Sequence, residues 1–204
     1  MTKRYAPATE RNRAPLLAVL QSQLPEQGVV LEIAAGSGQH AAYFAPQLAP
    51  RLWLPTDVGA ANLASINEWC AEVDCAGLLA TQYLDVLDTV WAVEQQVLPE
   101  SVSAIVNINM LHIAPWACCL ALFAGAKRIL GDEGVVLIYG PFKQQGQHTS
   151  VSNEAFDANL RGENASWGIR DQEAVTEVAR EAGFECASTI AMPANNQVLV
   201  FRPQ

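Results

Sequence analysis

The chain is poor in charge. Only 16% of its 204 residues are Asp, Glu, Lys or Arg, while half are hydrophobic. A disordered chain needs the opposite balance, so the composition points to one globular domain spanning 1–204 with a sizeable core. Basic residues are scarcer than acidic ones, 12 against 21, for a net charge of −9. Lys3-Arg4 and Lys127-Arg128 are the only adjacent basic pairs. An acidic chain without a basic patch repels phosphate backbones, so nucleic acid is not an expected partner.

Cysteine is also sparse. Five cysteines, with Cys118-Cys119 adjacent and Cys70 and Cys75 separated by four residues, make no disulfide framework. No paired CxxC or CxxC-plus-histidine spacing is present, so no metal site is expected. Small buried thiols in a reducing, cytoplasmic setting are the simpler expectation. The segment Met1–Pro7 has no apolar core behind its charges, so it is not read as a secretory leader. One stretch, 101–126, has no charged residue and is long enough to span a bilayer. Asn107, Asn109, His112 and Pro115 interrupt its middle at a cost lipid does not tolerate, so it reads as strand, polar loop, helix, and no membrane association is expected. Internal repeats, low-complexity tracts and linkers are absent too.

What is present centres on Leu31-Glu-Ile-Ala-Ala-Gly-Ser-Gly-Gln-His40. A short apolar strand, Val29–Ile33, runs into a small-residue loop, Ala34–Gly38, and then into a helix over about 39–47. That order lets backbone approach a ligand closely. Around it the chain alternates. A helix is expected over Pro15–Leu24, stopped by Pro25, behind a polar segment 1–13; together these form an N-terminal lid and helix, 1–27. Strands follow at 52–54, 78–84, 104–108 and 135–139. Helices are expected near 63–73, 90–98 and 116–130. Residues 140–168 are rich in Gly, Gln, Asn and Ser, with one helix at 153–160. Their length marks 143–168 as a functional excursion over the site. Asp171 caps a helix ending at Gly183, and strands 185–192 and 197–202 close the chain through the turn Pro193-Ala-Asn-Asn196.

Strands alternating with helices imply a mostly parallel sheet with helices on both faces, and ligands bind at the carboxyl ends of such strands. The loops there carry a nucleoside-shaped set. Glu32 ends the first strand, where it would fix the loop or meet a cation. Ala34, Gly36, Ser37 and Gly38 form the loop. Asp57 lies nineteen residues beyond Gly38, placed to accept hydrogen bonds from ribose hydroxyls. Asp85 and Val86 follow the third strand, where the acid would meet an adenine amino group. Asn109 and Met110 follow the fourth. A dinucleotide would put its pyrophosphate beside Glu32 and be repelled; a sulfonium with an amino-acid tail has no such conflict. The pattern therefore favours S-adenosyl-L-methionine over a nicotinamide cofactor.

Four motifs carry a resemblance: Glu32-Ile-Ala-Ala-Gly-Ser-Gly-Gln-His40, Ile108-Asn-Met-Leu-His-Ile113, Tyr139-Gly-Pro-Phe142 and Met192-Pro-Ala-Asn-Asn196, joined by Ala8-Thr-Glu-Arg-Asn12. With these the whole chain resembles a family of class I methyltransferase-like proteins catalogued as a domain of unknown function. The resemblance implies a Rossmann-like α/β fold: a seven-stranded, mostly parallel sheet whose last strand is antiparallel, with S-adenosylmethionine as cofactor. It supplies no substrate. Against the general class I pattern, Ala34 replaces the first loop glycine, so this residue is expected to avoid positive φ or to reshape the loop.

The activity so implied is direct methyl transfer to a small, polar molecule. His112, just past strand four, is the first candidate base; His148 in the excursion is the second, and Asn109 would orient the acceptor. His40 lies behind the cofactor. Asn195 and Asn196 would orient a polar substrate, and Phe142 with Trp167 would form an aromatic wall. No Pro-Pro-Tyr follows Asn109, so the amino-purine methyltransferase pattern is missing. Two alternatives stand beside this reading. A protein that binds S-adenosylmethionine without turnover keeps the same loop. A nicotinamide-dependent oxidoreductase lacks its Tyr-x-x-x-Lys hydride-site motif here.

Overall fold

The computed structural model describes residues 3–204. Seven strands form one sheet in the spatial order β3-β2-β1-β4-β5-β10-β9. These are β1 (Val29–Ile33), β2 (Leu52–Asp57), β3 (Gln82–Tyr83), β4 (Val102–Ile108), β5 (Val135–Gly140), β9 (Phe184–Met192) and β10 (Asn196–Pro203). β1 runs parallel to β2 and β4, and β4 parallel to β5. β10, last in the chain, lies between β5 and β9 and is antiparallel to both. The strand order reverses between β1 and β4, which opens a crevice at their carboxyl ends.

Alternation along β1 decides the layers. Val29, Leu31 and Ile33 face one side, where α4 (Ala117–Ile129) and α6 (Gln172–Glu181) supply Leu122, Phe123, Val175 and Ala179. Val30 faces the other, where α1 (Pro7–Gln23) and α2 (Gln39–Phe44) supply Leu16, Leu20 and Phe44, packed with Trp53. Both faces are covered, so the inner strands read as continuous apolar runs rather than alternating ones. Phe123 meets Phe201 edge to face with ring centres 5.0 Å apart, an arrangement worth ~0.5–1.5 kcal/mol beyond its burial. α3 (Ala60–Cys70) stands beside α2, its Ile66 wholly buried.

Three expectations need correction. The helix near 90–98 is a single 3-10 turn, Ala92–Glu94. Trp91 anchors it from the core, and Val90 and Val97 stay exposed, so no apolar stripe exists to hold a longer helix. The strand expected at 78–84 pairs with β2 only at Gln82–Tyr83, apart from a bridge between Leu78 and Trp53. The polar segment expected ahead of the first helix is largely helix itself: residues 1–2 lie outside the described residues, and α1 begins at Pro7 and continues through Pro15. Proline fits the first helical turn at Pro7 because its missing N–H has no partner there, whereas Pro15 inside the helix cannot donate to the carbonyl four residues back.

Residues 3–6 form a strap across α3. The Arg4 N–H donates to Ser65 Oγ (2.7 Å), the Trp69 indole donates to the Arg4 carbonyl (2.8 Å), and the Ala6 N–H donates to Gln39 Oε1 (2.6 Å). The excursion is more structured than its composition suggests. β6 (Phe142–Gln144), β7 (Gln147–His148) and β8 (Arg170–Asp171) make a second small sheet, with α5 (Val151–Glu163) between β7 and β8. Ser150 caps α5 by accepting from the Asn153 N–H, and Asp171 caps α6 by accepting from Glu173 and Ala174.

Candidate cofactor crevice and adjoining cavity

The loop after β1 makes three left-handed residues in five: Ala34 at φ 60°, Gly36 at 61° and Gly38 at 90°. Ala34 thus does adopt the positive φ expected to be avoided, at a cost of ~1–2 kcal/mol that the surrounding bonds offset. Those bonds are specific. The Ala35 N–H donates to the Thr56 carbonyl, the Gly36 N–H to Asp57 Oδ2 (3.0 Å), and Asn107 Nδ2 to the Ile33 carbonyl (3.0 Å). Ser65 Oγ donates to the Ser37 carbonyl (2.8 Å) and Ser37 Oγ to Gln39 Oε1 (3.1 Å).

The two glycines differ in purpose. A Cβ on Gly38 would lie 2.5 Å from the Ile66 Cα, so this glycine exists to let α3 approach. A Cβ on Gly36 would meet nothing nearer than the Ala34 carbonyl at 4.0 Å. Gly36 therefore presents bare backbone to open space, the arrangement a cofactor tail needs.

Asp57 is nearly buried, and its carboxylate already accepts from Gly36, Gly59 (2.9 Å) and Asn62 (3.0 Å). It clips the loop to the start of α3. Four acceptor positions less three donors leaves one for a ribose hydroxyl. Asp85 is half-buried and accepts from the Leu87 N–H (2.9 Å). Val58 and Leu87, each about half exposed, flank these acids with apolar surface.

Three expected cofactor contacts turn inward instead. Glu32 is 1% exposed and accepts from the Trp53 indole N–H (2.8 Å). Burial pushes its carboxyl up to about 7, against the Trp53 hydrogen bond and with help from nearby Asp57. Its part at the crevice is support from beneath, because no face of it is open. Val86 and Met110 put their side chains into the core and offer the crevice only backbone.

Beyond β4 and β5 the same sheet edge opens into a cavity of about 620 Å³. Asn109 and His112 form its floor with Tyr139 and Pro141; Arg11 and Asn12 of α1, Asn153 and Phe156 of α5, and Pro193, Ala194 and Asn196 of the final turn wall it. The walls are tied together. Asn153 Nδ2 donates to Thr149 Oγ1 and to the Asn195 carbonyl (both 3.1 Å), joining α5 to the turn. His40 Nε2 and Asn12 Oδ1 are 2.9 Å apart, joining α1 to α2. Burial, with Arg170 nearby, lowers His112 to about 4; burial and Arg13 lower His40 to about 4. Both imidazoles are therefore neutral at pH 7. Asn109, at φ 66°, and His112 both border Gly140, whose Cβ would lie 3.4 Å from His112 Nδ1 and 3.8 Å from Asn109 Oδ1.

The other expected substrate contacts lie elsewhere. His148 does not line this cavity: its Nε2 sits 3.4 Å from Asp157 Oδ2, a carboxylate that also meets Lys143 (3.2 Å) and Arg161 (3.1 Å). That contact places the imidazole in the excursion's own framework. Phe142 is 2% exposed and belongs to the core, and Trp167 does not line the cavity. The aromatic surface comes from Tyr139 and Phe156 instead, with Phe156 edge-on to His112 at 5.5 Å. Asn195 contributes its carbonyl to the clasp rather than its side chain to the cavity. No role was assigned from sequence to Arg11, Asn12, Tyr139, Asn153 or Phe156, although the first three lie within the quoted motifs, and Asn153 and Phe156 are three apart on one helix and so share a face.

Comparison with known proteins places this geometry. The family described as "Protein of unknown function (DUF938)" matches residues 3–203. The chain belongs to that family. Solved structures share its fold at low identity. Human N-acetylserotonin methyltransferase in complex with SAM superposes with a TM-score of 0.76 at 12% identity, over 96% of this chain and 52% of that one. The S-adenosylmethionine-dependent methyltransferase SibL, in its apo form, gives 0.74 at 19%, over 97% and 56%. An O-methyltransferase family protein from Burkholderia thailandensis gives 0.75 at 14%, over 97% and 57%. This DUF938 chain thus has the class I methyltransferase fold and spans about half the length of the structures it matches.

Proposed function

We propose that this protein is an S-adenosylmethionine-dependent methyltransferase acting on a small, polar molecule. The observation that carries the reading is the pairing of two spaces on one sheet edge. A loop with bare backbone at Gly36 follows β1, with Asp57 and Asp85 at the ends of β2 and β3 on one side of it and, on the other, Asn109 after β4, which lines a walled cavity of about 620 Å³. The cavity suits a small acceptor, since α1, α5 and the final turn close three sides of it.

The residues fit the cofactor's chemistry. Asp57 and Asp85 offer carboxylate oxygens to hydroxyl and amino donors, Val58 and Leu87 offer apolar flanks, and the Gly36 backbone offers close approach. When bound, S-adenosylmethionine supplies a methyl group on a cationic sulfur to an oxygen, nitrogen or sulfur nucleophile. The chain's own part is to orient and to exclude water. His112, held neutral, accepts a hydrogen bond from a protonated nucleophile and so aims its lone pair. A group whose basicity is lowered this far orients better than it removes protons. Asn109 contributes a second polar contact beside it.

The turnover-free alternative keeps the crevice and differs only in product. Calorimetry with S-adenosylhomocysteine and with NAD tests the cofactor: micromolar binding of the first and none of the second is expected, and the reverse would overturn the reading. Incubating the protein with methyl-labelled S-adenosylmethionine and a metabolite extract tests turnover, with a labelled small-molecule product as the expected result. Binding without any labelled product in extract would favour the alternative.

A further inference from the structure

We propose that the acceptor carries a carboxylate and that Arg11 anchors it, an inference that rests on the methyltransferase reading and names the substrate class. The argument starts from charge. The protein carries a net charge of −9, with acids outnumbering bases 21 to 12. Yet neither Asp nor Glu lines the cavity, and among the described residues its one permanent charge is the Arg11 guanidinium. A cavity chosen from this surface at random would hold more acid than base.

Arg11 is also unspent. The neighbouring Arg13 pairs with Glu10 at 2.6 Å and lies over the Tyr43 ring at 4.7 Å. Arg128, Arg161 and Arg180 each pair with a carboxylate, as does Lys143. Arg11 enters no salt bridge with a described residue, and its side chain is exposed at the cavity mouth. Its planar fork of N–H donors matches a carboxylate in a bidentate pair.

The rest of the lining suits such a molecule. Tyr139, Pro141, Phe156 and Pro193 give an apolar flank for a carbon skeleton, and Asn109 with His112 stands on the β4 side for the accepting atom. The other amides are committed: Asn12 to His40, and Asn153 to Thr149 and Asn195. Recognition of charge therefore falls to Arg11. A carboxylate could come from two sources, the acceptor or the amino-acid tail of the cofactor. Arg11 shares its cavity with α5 and the final turn rather than with the glycine loop, which favours the acceptor.

The test uses the full chain saturated with S-adenosylhomocysteine, with benzoate and benzamide as isosteric probes in calorimetry. Benzoate is expected to bind about tenfold or more tighter than benzamide, the scale of one charge-assisted pair. Arg11→Gln should erase that preference, Arg11→Lys should restore part of it, and the affinity for S-adenosylhomocysteine should stay within about twofold in both variants. Equal affinity for the two probes, no binding of either, or a preference that survives in Arg11→Gln would overturn the proposal. So would a tenfold loss of S-adenosylhomocysteine affinity in Arg11→Gln, which would assign the arginine to the cofactor tail. The same probes titrated without S-adenosylhomocysteine separate the two readings: failure of the wild-type protein to bind S-adenosylhomocysteine strikes the methyltransferase reading, while the benzoate preference is still measured.

Discussion

Gly36 and Gly38 stand two residues apart in one loop, and their replacement by alanine should do opposite things. At Gly38 two costs add. Its φ of +90° resists any side chain, which costs ~1–2 kcal/mol. Its new Cβ would press to 2.5 Å of the Ile66 Cα and 3.2 Å of the Ile66 Cβ, and Ile66 is fully buried on α3. Backbone cannot swing aside, so α3 must retreat; overpacking of this kind costs ~1–3 kcal/mol. Gly38→Ala should therefore lose about 2–5 kcal/mol of stability. At Gly36 the φ of +61° carries a cost of about 1 kcal/mol, and the Cβ meets open space. Gly36→Ala should fold almost normally, yet its methyl group would stand where the proposed cofactor would approach. Denaturant titration of both variants, followed by calorimetry with S-adenosylhomocysteine, separates the effects. Gly38→Ala should show the lower midpoint, and Gly36→Ala at least a tenfold weaker affinity. If Gly36→Ala is the less stable of the two, or binds S-adenosylhomocysteine like the wild type, this division of labour is wrong.

Other expectations follow from the same contacts. Asp57→Ala leaves the Gly36, Gly59 and Asn62 donors without their acceptor, so it should weaken S-adenosylhomocysteine binding and also lower stability by ~1–3 kcal/mol; unchanged affinity by calorimetry would remove Asp57 from the site. Glu32 binds its proton more tightly folded than unfolded, so its contribution falls as pH rises from about 4.5 to about 7 and is flat above. Glu32→Gln should then be more stable than wild type by up to about 3 kcal/mol at pH 8, with the gain gone near pH 4.5; a constant difference across that range in urea melts would refute the buried acid. His40 and His112 bind protons less tightly folded than unfolded, so stability should fall as pH drops from 6.5 towards 4, and His112→Asn should shallow that slope in the same melts. Asp157→Asn removes the carboxylate shared by Lys143, His148, Arg161 and the Ile169 N–H, and should cost about 2 kcal/mol. Its carboxyl lies below the usual range because bonds from Arg161, Ile169 and Lys143 outweigh the upward pull of burial. Proteolysis of the variant within 143–168, faster than in wild type, would register the loosening.

Much of the fold was legible because its signals are local. β1 coincides with Val29–Ile33 and the Asp171 cap opens α6, both readable from an apolar run and a capping acid, while the antiparallel last strand followed from the family resemblance. What failed was decided at a distance. The stretch 90–98 has apolar residues enough for a helix, but Trp91 is drawn into a slot that Gly125 leaves open: a Cβ there would lie 2.0 Å from the indole. That single docking pins the backbone in a 3-10 turn. Glu32, expected to fix the loop or meet a cation, is instead held inside by the Trp53 indole, which reaches it from β2, twenty-one residues away. His148 looked like a catalytic candidate because nothing in the sequence ties it to Asp157. The meeting of the N-terminal lid with the excursion is different: it was expected over the site, and Arg11 and Asn12 do share one cavity with Asn153 and Phe156 of α5 and with the final turn.

The strap over α3 has an optical consequence. Trp53 and Trp91 are wholly buried, so their surroundings stay constant while the fold holds. Trp69 is different. Its indole N–H is bonded to the Arg4 carbonyl, the Lys3 ammonium lies 3.7 Å above its ring, and Tyr5 stands 6.3 Å away. All three neighbours belong to the strap, and Asn62, about two turns away on the same helix, touches both Arg4 and Asp57. Lifting the strap would exchange a carbonyl, a cation and a ring for water around one indole. The chain therefore carries a built-in fluorophore at the margin of its crevice, and its emission can follow the seating of residues 3–6 without any label.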